Sequence, residues 1–261
     1  MDSVSSSSQA GSFVAAGTVS IIRAVDENTV IKMRPKSGDY ERQVYNIEIR
    51  CYKKLGSHER IASCKVTEEG LLLERGTCLR AITRSASEHA IPLAMRIQWA
   101  LEAAEGLAYI HSKEIIHADV GCHNMIVSKA SQVKFIDFAG SGIDGEDAQV
   151  CYEWCSYRPG NGIGICSDIF AYGSMIFEIE TGRVPYSELQ ESVELGRLMR
   201  VAEDLFSEYK FPPVDTLALG PVISDCWNGK YKSMEEVRRD VARCLEDLSE
   251  EEMEKAALDA E

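Results

Sequence analysis

Ile116-His117-Ala118-Asp119-Val120-Gly121-Cys122-His123-Asn124-Met125-Ile126-Val127, followed after five residues by Val133-Lys134-Phe135-Ile136-Asp137-Phe138-Ala139-Gly140, is the stretch from which the rest of the chain can be read. Asp119 and Asn124 lie five residues apart in a segment with loop character, and Asp137 ends a short apolar strand 13 residues beyond Asn124. Two carboxylates and an amide make an oxygen-rich set of the kind that suits a hard cation such as magnesium. A lone His-x-Asp or a lone Asp-Phe is common among ordinary loop and core residues. The meaning of these residues comes from their being found together, in order, with the polar groups upstream and downstream of them.

Upstream, apolar and polar residues alternate over Phe13–Arg23 and Thr29–Arg34, separated by Asp26-Glu27-Asn28, which predicts strands joined by a turn. The period then lengthens. Val44, Ile47, Cys51 and Leu55 recur at helical spacing between Arg42 and Leu55, with Glu48 on the same side as Val44 and Tyr52. Further strands are predicted near Ile61–Val66 and Gly70–Glu74. Ile91-Pro92 then opens a long helix with Leu93, Ile97, Leu101, Ala104 and Ala108 as its apolar stripe. Later helices are predicted over Ser167–Thr181, around Glu191–Phe206, over Leu219–Trp227 and over Met234–Leu248. The chain passes from mostly strand to mostly helix, an α+β pattern, and it holds no internal repeat.

Phosphoryl transfer needs a carboxylate to orient the attacking hydroxyl and accept its proton. It also needs an amide and a second carboxylate to hold the magnesium that bridges phosphate oxygens. On the residues just quoted, the segment resembles the catalytic loop His-Arg-Asp-x-x-x-x-Asn and the following Asp-Phe-Gly of the protein kinase superfamily, most closely its compact, divergent fungal members. The resemblance implies a bilobal fold, with a small antiparallel sheet lobe carrying one helix and a larger, mainly helical lobe. It implies Asp119 as catalytic base, Asn124 and Asp137 as ligands of Mg2+, and His117 and Phe138 as packing residues. Val30-Ile31-Lys32 is similar to Val-Ala-Ile-Lys, which puts Val30 and Lys32 at the nucleotide and makes Lys32 a catalytic residue; Glu48, 16 residues on, is the implied partner of Lys32. Leu71-Leu72-Leu73-Glu74 is similar to the strand entering the hinge, where backbone groups from Glu74 to Gly76 would meet adenine. Ser167-Asp168-Ile169-Phe170 is similar to the segment whose aspartate anchors the catalytic loop, a role that falls to Asp168. The likeness spans residues 13–247, giving a disordered lead-in over 1–12, a small lobe over 13–75, a large lobe over 76–247 and an acidic tail over 248–261.

The departures bear on activity. Ala15-Ala16-Gly17-Thr18-Val19-Ser20 keeps one glycine, Gly17, of a three-glycine phosphate loop, so backbone approach to the phosphates is expected to be poorer. Ala118 replaces the arginine of the catalytic loop, removing the cation that a phosphate on the activation segment would need. No phosphorylation switch is expected at Ser141, Tyr152, Ser156 or Tyr157. Gly121 stands in place of a lysine that in serine/threonine kinases contacts the transferred group, which predicts slower chemistry. Ala139 replaces a glycine after Phe138, with Gly140 one residue later. Tyr157-Arg158-Pro159-Gly160 lacks the glutamate of Ala-Pro-Glu, and Cys226-Trp227-Asn228-Gly229-Lys230-Tyr231 lacks its arginine partner, so no buried charge is left unpaired.

Composition narrows the setting. The 261 residues contain no run near the ~18 apolar residues that cross a bilayer, so no membrane association is expected. The nine cysteines, an odd number without paired short spacings, predict free thiols and a cytoplasmic location. Cys151 and Cys155 sit four apart without a matching pair, a pattern read as two loop cysteines rather than zinc ligands. Of the net charge of −14, residues 13–75 hold 11 basic and 9 acidic side chains, and residues 76–261 hold 17 and 32. Such a surface offers no basic face to nucleic acid and would suit a basic protein substrate alongside ATP. His58, His89 and His111 are read as surface or helix-end residues, and Trp99, Trp154 and Trp227 as packing anchors. Three activities fit: a serine/threonine protein kinase, a pseudokinase that binds nucleotide or protein without turnover, and a small-molecule kinase of the aminoglycoside or choline phosphotransferase type. The stretch after Asp137, with Thr181-Gly182-Arg183-Val184-Pro185-Tyr186 downstream, looks like the first and unlike the third.

Overall fold

The structure is a computed structural model that describes residues 13–16, 20–85, 91–160 and 162–258. Gly17, His89 and the stretch 1–12 lie outside the described residues. The alternating N-terminal third forms one antiparallel sheet. Its strands are β1 (Phe13–Ala16), β2 (Ile21–Ala24), β3 (Thr29–Met33), β4 (Cys64–Val66) and β5 (Gly70–Glu74), in the order β1-β2-β3-β5-β4. The single strand predicted over Phe13–Arg23 is therefore two. Ala16 pairs with Ile21 and Phe13 with Arg23, so the chain reverses between them.

Helix α1 (Asp39–Leu55) packs on this sheet, starting three residues earlier than its apolar pattern because Asp39 and Glu41 occupy a first turn that welcomes acids. Val44, Ile47, Glu48, Cys51, Tyr52 and Leu55 are all buried, as the helical spacing predicted.

The rest of the chain is mainly helical. After β6 (Thr77–Cys78) come α2 (Leu79–Ser85) and α3 (Leu93–Ser112). The short β7 (Ile115–Ile116), β8 (Met125–Val127), β9 (Val133–Phe135) and β10 (Gly142–Ile143) carry the loops between them. Then follow α4 (Ile165–Thr181), α5 (Leu189–Ser192), α6 (Leu195–Ser207), α7 (Gly220–Trp227) and α8 (Met234–Leu258). Pro92 caps α3 with a carbonyl that accepts from the N–H groups of Met95 and Arg96. The stripe predicted for α3 is only half right: Ile97 and Ala104 are buried, but so are Ala100, Ala103, Leu107 and Ile110, while Leu93, Leu101 and Ala108 are half-buried. Helices α4 and α8 and strand β9 all pack on α3, which widens its buried side beyond one stripe. Helix α2 was not foreseen, since seven residues show too few turns to establish a period.

Helix α4 is buried from Ser167 to Glu180, all the way round. Ser167 Oγ accepts the Gly164 N–H at 2.7 Å in the first turn, and Gly182, at φ 71°, ends the helix in the left-handed conformation. Tyr172 on α4 donates to the Ala100 carbonyl at 2.8 Å and ties the two central helices together. Trp99 and Trp227 are buried anchors, the latter donating to Ser174 Oγ at 3.1 Å. Helix α8 runs ten residues past its predicted end at Leu248.

Candidate active site

Lys32 enters the site from β3. It is 3% exposed, and its Nζ lies 2.7 Å from Glu48 Oε2 on α1 and 2.7 Å from Asp137 Oδ1 after β9. Burial opposes a charge on Lys32, but the two carboxylates outweigh it and hold its pKa above the ordinary lysine value. Glu48 is fully buried, and burial, with Asp137 close by, lifts its pKa to about 7 against the pull of Lys32. Burial also acts on Asp137, yet Lys32 keeps its pKa below the usual carboxylate value.

Asp137 adopts φ 61°, and its Oδ1 also accepts the Ala139 N–H at 3.4 Å. Ala139 stays out of the left-handed region and Gly140 takes it, at φ 81°, so the lost glycine is made good one residue later. Phe138 is buried between the Tyr52 ring, 5.1 Å away and edge-on, and the His117 ring at 5.1 Å, which joins α1 to the catalytic loop through three rings.

Asp119 and Asn124 are brought together as their spacing suggested. Asn124 Nδ2 donates to the Asp119 carbonyl at 2.9 Å and to Asp119 Oδ2 at 2.8 Å. His117 Nδ1 accepts the Asp119 N–H at 3.3 Å, and its Nε2 lies 3.2 Å from the Ile136 carbonyl. Asp168, buried at the start of α4, holds the loop from below. It accepts the N–H groups of His117 at 2.9 Å and Ala118 at 3.0 Å, the Tyr152 hydroxyl at 2.7 Å, and sits 2.9 Å from His111 Nε2. Burial would raise the pKa of Asp168, but these hydrogen bonds and the nearby imidazoles bring it below the ordinary value. Ala118 is in the left-handed region at φ 67°, a conformation its bond to Asp168 stabilises.

Sequence reading missed several partners. His111 is a helix-end residue, in the last turn of α3, but its side chain is turned inward onto Asp168, which reaches it from another helix, 57 residues on. His58 stacks on Tyr109 at 3.8 Å. His123 lies 3.3 Å from Asp119 Oδ1 and 3.2 Å from Glu153 Oε2; burial disfavours its charge, but the two carboxylates raise its pKa to about 9. Arg80 on α2 grips Glu153 at 2.6 and 2.7 Å and Glu178 at 2.7 and 2.8 Å. The only sequence signal for this group was the His123 beside Asn124.

At the hinge, Glu74 N–H bonds the Ser63 carbonyl and Arg75 N–H the Asn28 carbonyl, while the Glu74 side chain takes Lys134 at 2.9 Å. These two donors of the Glu74–Gly76 stretch, whose backbone was expected to meet adenine, are already engaged by main-chain carbonyls. Val30 is buried in the core of that sheet.

The Ser141 and Tyr152 hydroxyls are buried on the His117 carbonyl and on Asp168, and Ser156 is buried as well. Among the described residues no group of three or more metal-binding side chains occurs. Cys151 is exposed and Cys155 buried, and all nine cysteines are free. No helix among the described residues is long and apolar enough to cross a membrane.

An antiparallel sheet with one helix, a mainly helical remainder, and a lysine, aspartate and asparagine set between them define the bilobal kinase fold class. Residues 10–248 match the protein tyrosine and serine/threonine kinase family, and the chain belongs to it. It is 33% identical over 135 residues to a probable serine/threonine-protein kinase of Dictyostelium discoideum, covering 48% of this chain and 8% of that protein. A second probable serine/threonine-protein kinase of Dictyostelium discoideum is 29% identical over 197 residues, 69% of this chain and 13% of the relative. The rat megakaryocyte-associated tyrosine-protein kinase is 27% identical over 144 residues, 51% of this chain and 29% of the relative. The chain thus spans only a minor part of the length of these relatives. The family transfers phosphate from ATP to protein with the help of a divalent metal.

Proposed function

We propose that the chain is an active, magnesium-dependent protein kinase that transfers the terminal phosphoryl group of ATP to serine or threonine. One observation carries this reading: Lys32 lies 2.7 Å from both Glu48 and Asp137 while Asn124 holds the Asp119 carboxylate at 2.8 Å. The two groups are neighbours, since the Ile136 N–H, one residue before Asp137, donates to the Asn124 carbonyl at 3.0 Å.

The donor set fits magnesium. The Nδ2 of Asn124 is spent on Asp119, which leaves the amide oxygen, and the Asp137 side chain is 41% exposed. Two protein oxygens suit a cation that keeps waters and phosphate oxygens in its remaining positions. Bound there, the metal would neutralise charge developing on the phosphates. Lys32 would bind the nucleotide phosphates as a point charge. Asp119, 30% exposed, would orient the incoming hydroxyl and take its proton. Gly17, outside the described residues, is assigned to the phosphates, and Gly76 or the hinge carbonyls to adenine, in the proposed nucleotide site. Glu48, His117, Phe138 and Asp168 serve as supports.

Preference for serine or threonine draws on the names of the two Dictyostelium relatives, and the tyrosine kinase relative is the counterweight. A basic substrate is suggested by the acidic balance of residues 76–261. A cytoplasmic setting agrees with nine free thiols. The match to protein kinases over residues 10–248 weighs against a small-molecule phosphotransferase.

The test is single-turnover transfer from labelled ATP with magnesium to a mixed basic-protein substrate, comparing the wild type with Asp119→Asn and Asp137→Asn. Transfer abolished by both substitutions supports the reading. Magnesium-dependent nucleotide binding without transfer would make the chain a pseudokinase.

A further inference from the structure

Both carboxylate oxygens of Asp119 are engaged. Asn124 Nδ2 lies 2.8 Å from Oδ2, and His123 Nε2 lies 3.3 Å from Oδ1. The second ring nitrogen of His123 lies 3.2 Å from Glu153 Oε2 in the segment between β10 and α4. Glu153 is fixed in turn by Arg80 from α2, and Arg80 by the buried Glu178 of α4. Four separate pieces of the large lobe therefore meet in one row of side-chain contacts that ends on Asp119.

Gly121 is part of this arrangement. A Cβ placed on Gly121 would lie 2.7 Å from both Cε1 and Nδ1 of His123, closer than carbon atoms tolerate. No side chain can occupy position 121 while the His123 ring stays where it is. The glycine and the histidine are one structural unit, and the absence of a lysine at 121 is the condition for an imidazole beside Asp119.

We propose that His123 is a positioning residue: it fixes the orientation of the Asp119 carboxylate and, through Glu153, makes that orientation depend on the docking of the segment between β10 and α4. The inference rests on the kinase reading given above. It goes beyond that reading in assigning His123, Gly121 and Glu153 one joint task. Ala118 offers no cation by which the catalytic loop could sense that segment, whereas His123 touches both. If the segment leaves, Glu153 leaves with it, and one of the two restraints on Asp119 loses its own support.

The experiment uses the full chain and the variants His123→Ala, His123→Arg, Gly121→Ala and Glu153→Gln, each measured for single-turnover transfer, for magnesium-ATP affinity and for urea midpoint. His123→Ala and Gly121→Ala are expected to slow transfer about tenfold or more with nucleotide affinity changed less than about twofold. Glu153→Gln should fall between them and the wild type. His123→Arg, which can still bridge two carboxylates, should recover most of the rate. Unchanged transfer in His123→Ala, or a rate loss matched by equal losses of nucleotide affinity and stability, would overturn the proposal. If the wild type transfers no phosphate, the kinase reading fails, and a double-mutant cycle of His123→Ala with Asp119→Ala in urea decides this one: non-additive midpoints support the coupling and additive ones refute it.

Discussion

Lys32 and Asp137 stand 105 residues apart in the chain and 2.7 Å apart in space, the first on β3 of the sheet and the second just after β9. Glu48 closes the triangle at 2.7 Å from the same Nζ. Burial alone would push the proton off Lys32, and the two carboxylates together keep it there. Glu48→Gln removes half of that support while leaving the shape unchanged. Magnesium-ATP affinity should fall about tenfold, or ~1.4 kcal/mol, in a nucleotide titration. Unchanged affinity would reduce Glu48 to a packing residue.

The outer side of α1 is clamped to the turn after β10. Arg50 makes a two-pronged bond to Glu146 at 2.7 and 2.8 Å and a third to Asp144 at 3.2 Å, and Lys54 bonds Asp144 and Glu114. Here carboxylates supply the negative charge that a phosphate could supply elsewhere. These side chains are partly exposed, so salt screens them. Arg50→Ala should slow phosphoryl transfer at low ionic strength, and the gap to wild type should shrink towards zero near about 1 M salt, where the Debye length is ~3 Å. A gap independent of salt would show that the clamp works by shape and not by charge.

Tyr152 is buried, its hydroxyl within 2.7 Å of Asp168 Oδ1 and 3.1 Å of Ser167 Oγ. Tyr152→Phe leaves the ring in place and removes the donor, for an expected cost of about 1–2 kcal/mol in urea unfolding. Incubation with a tyrosine kinase should leave Tyr152 unmodified in the folded chain, as read by mass spectrometry. Rapid modification coupled to a gain in activity would revive a phosphorylation switch.

The anchoring Asp168 gives a signed prediction for pH. Its folded pKa lies below the ordinary aspartate value, so its contribution to stability is present above that ordinary value and is lost as pH falls through the folded pKa. Urea stability measured from about pH 6 to about pH 3 should drop less steeply in Asp168→Asn than in the wild type. Equal slopes would mean that other carboxylates carry the acid sensitivity.

Gly106 lies inside α3, where alanine is ordinarily the better helix former by ~1 kcal/mol. Its Cβ would meet the Phe135 ring at 2.8 and 2.9 Å and Arg60 Cβ at 3.0 Å. Gly106→Ala should therefore destabilise the fold by about 1–3 kcal/mol, measured by thermal melting. A stabilised variant would show that β9 can move away from α3 at little cost.

Periodicity and local chemistry were legible in the sequence. The spacing of Val44, Ile47, Cys51 and Leu55 determined a helix with Glu48 on its buried side, and the order of Lys32, Glu48, Asp119, Asn124, Asp137 and Asp168 pointed to the kinase fold. Contacts set by short spacing, such as Asn124 on Asp119, were legible for the same reason: a five-residue loop leaves little freedom. Pairings across long separations were left to the tertiary structure, since one charged residue has many opposite charges to choose from until packing brings elements together. Arg80 and Glu178 are 98 residues apart, and His111 and Asp168 are 57 apart. Position 121 shows the division most clearly. The sequence alone marks Gly121 as the loss of a lysine, whereas packing shows it as the space that the His123 ring requires beside Asp119.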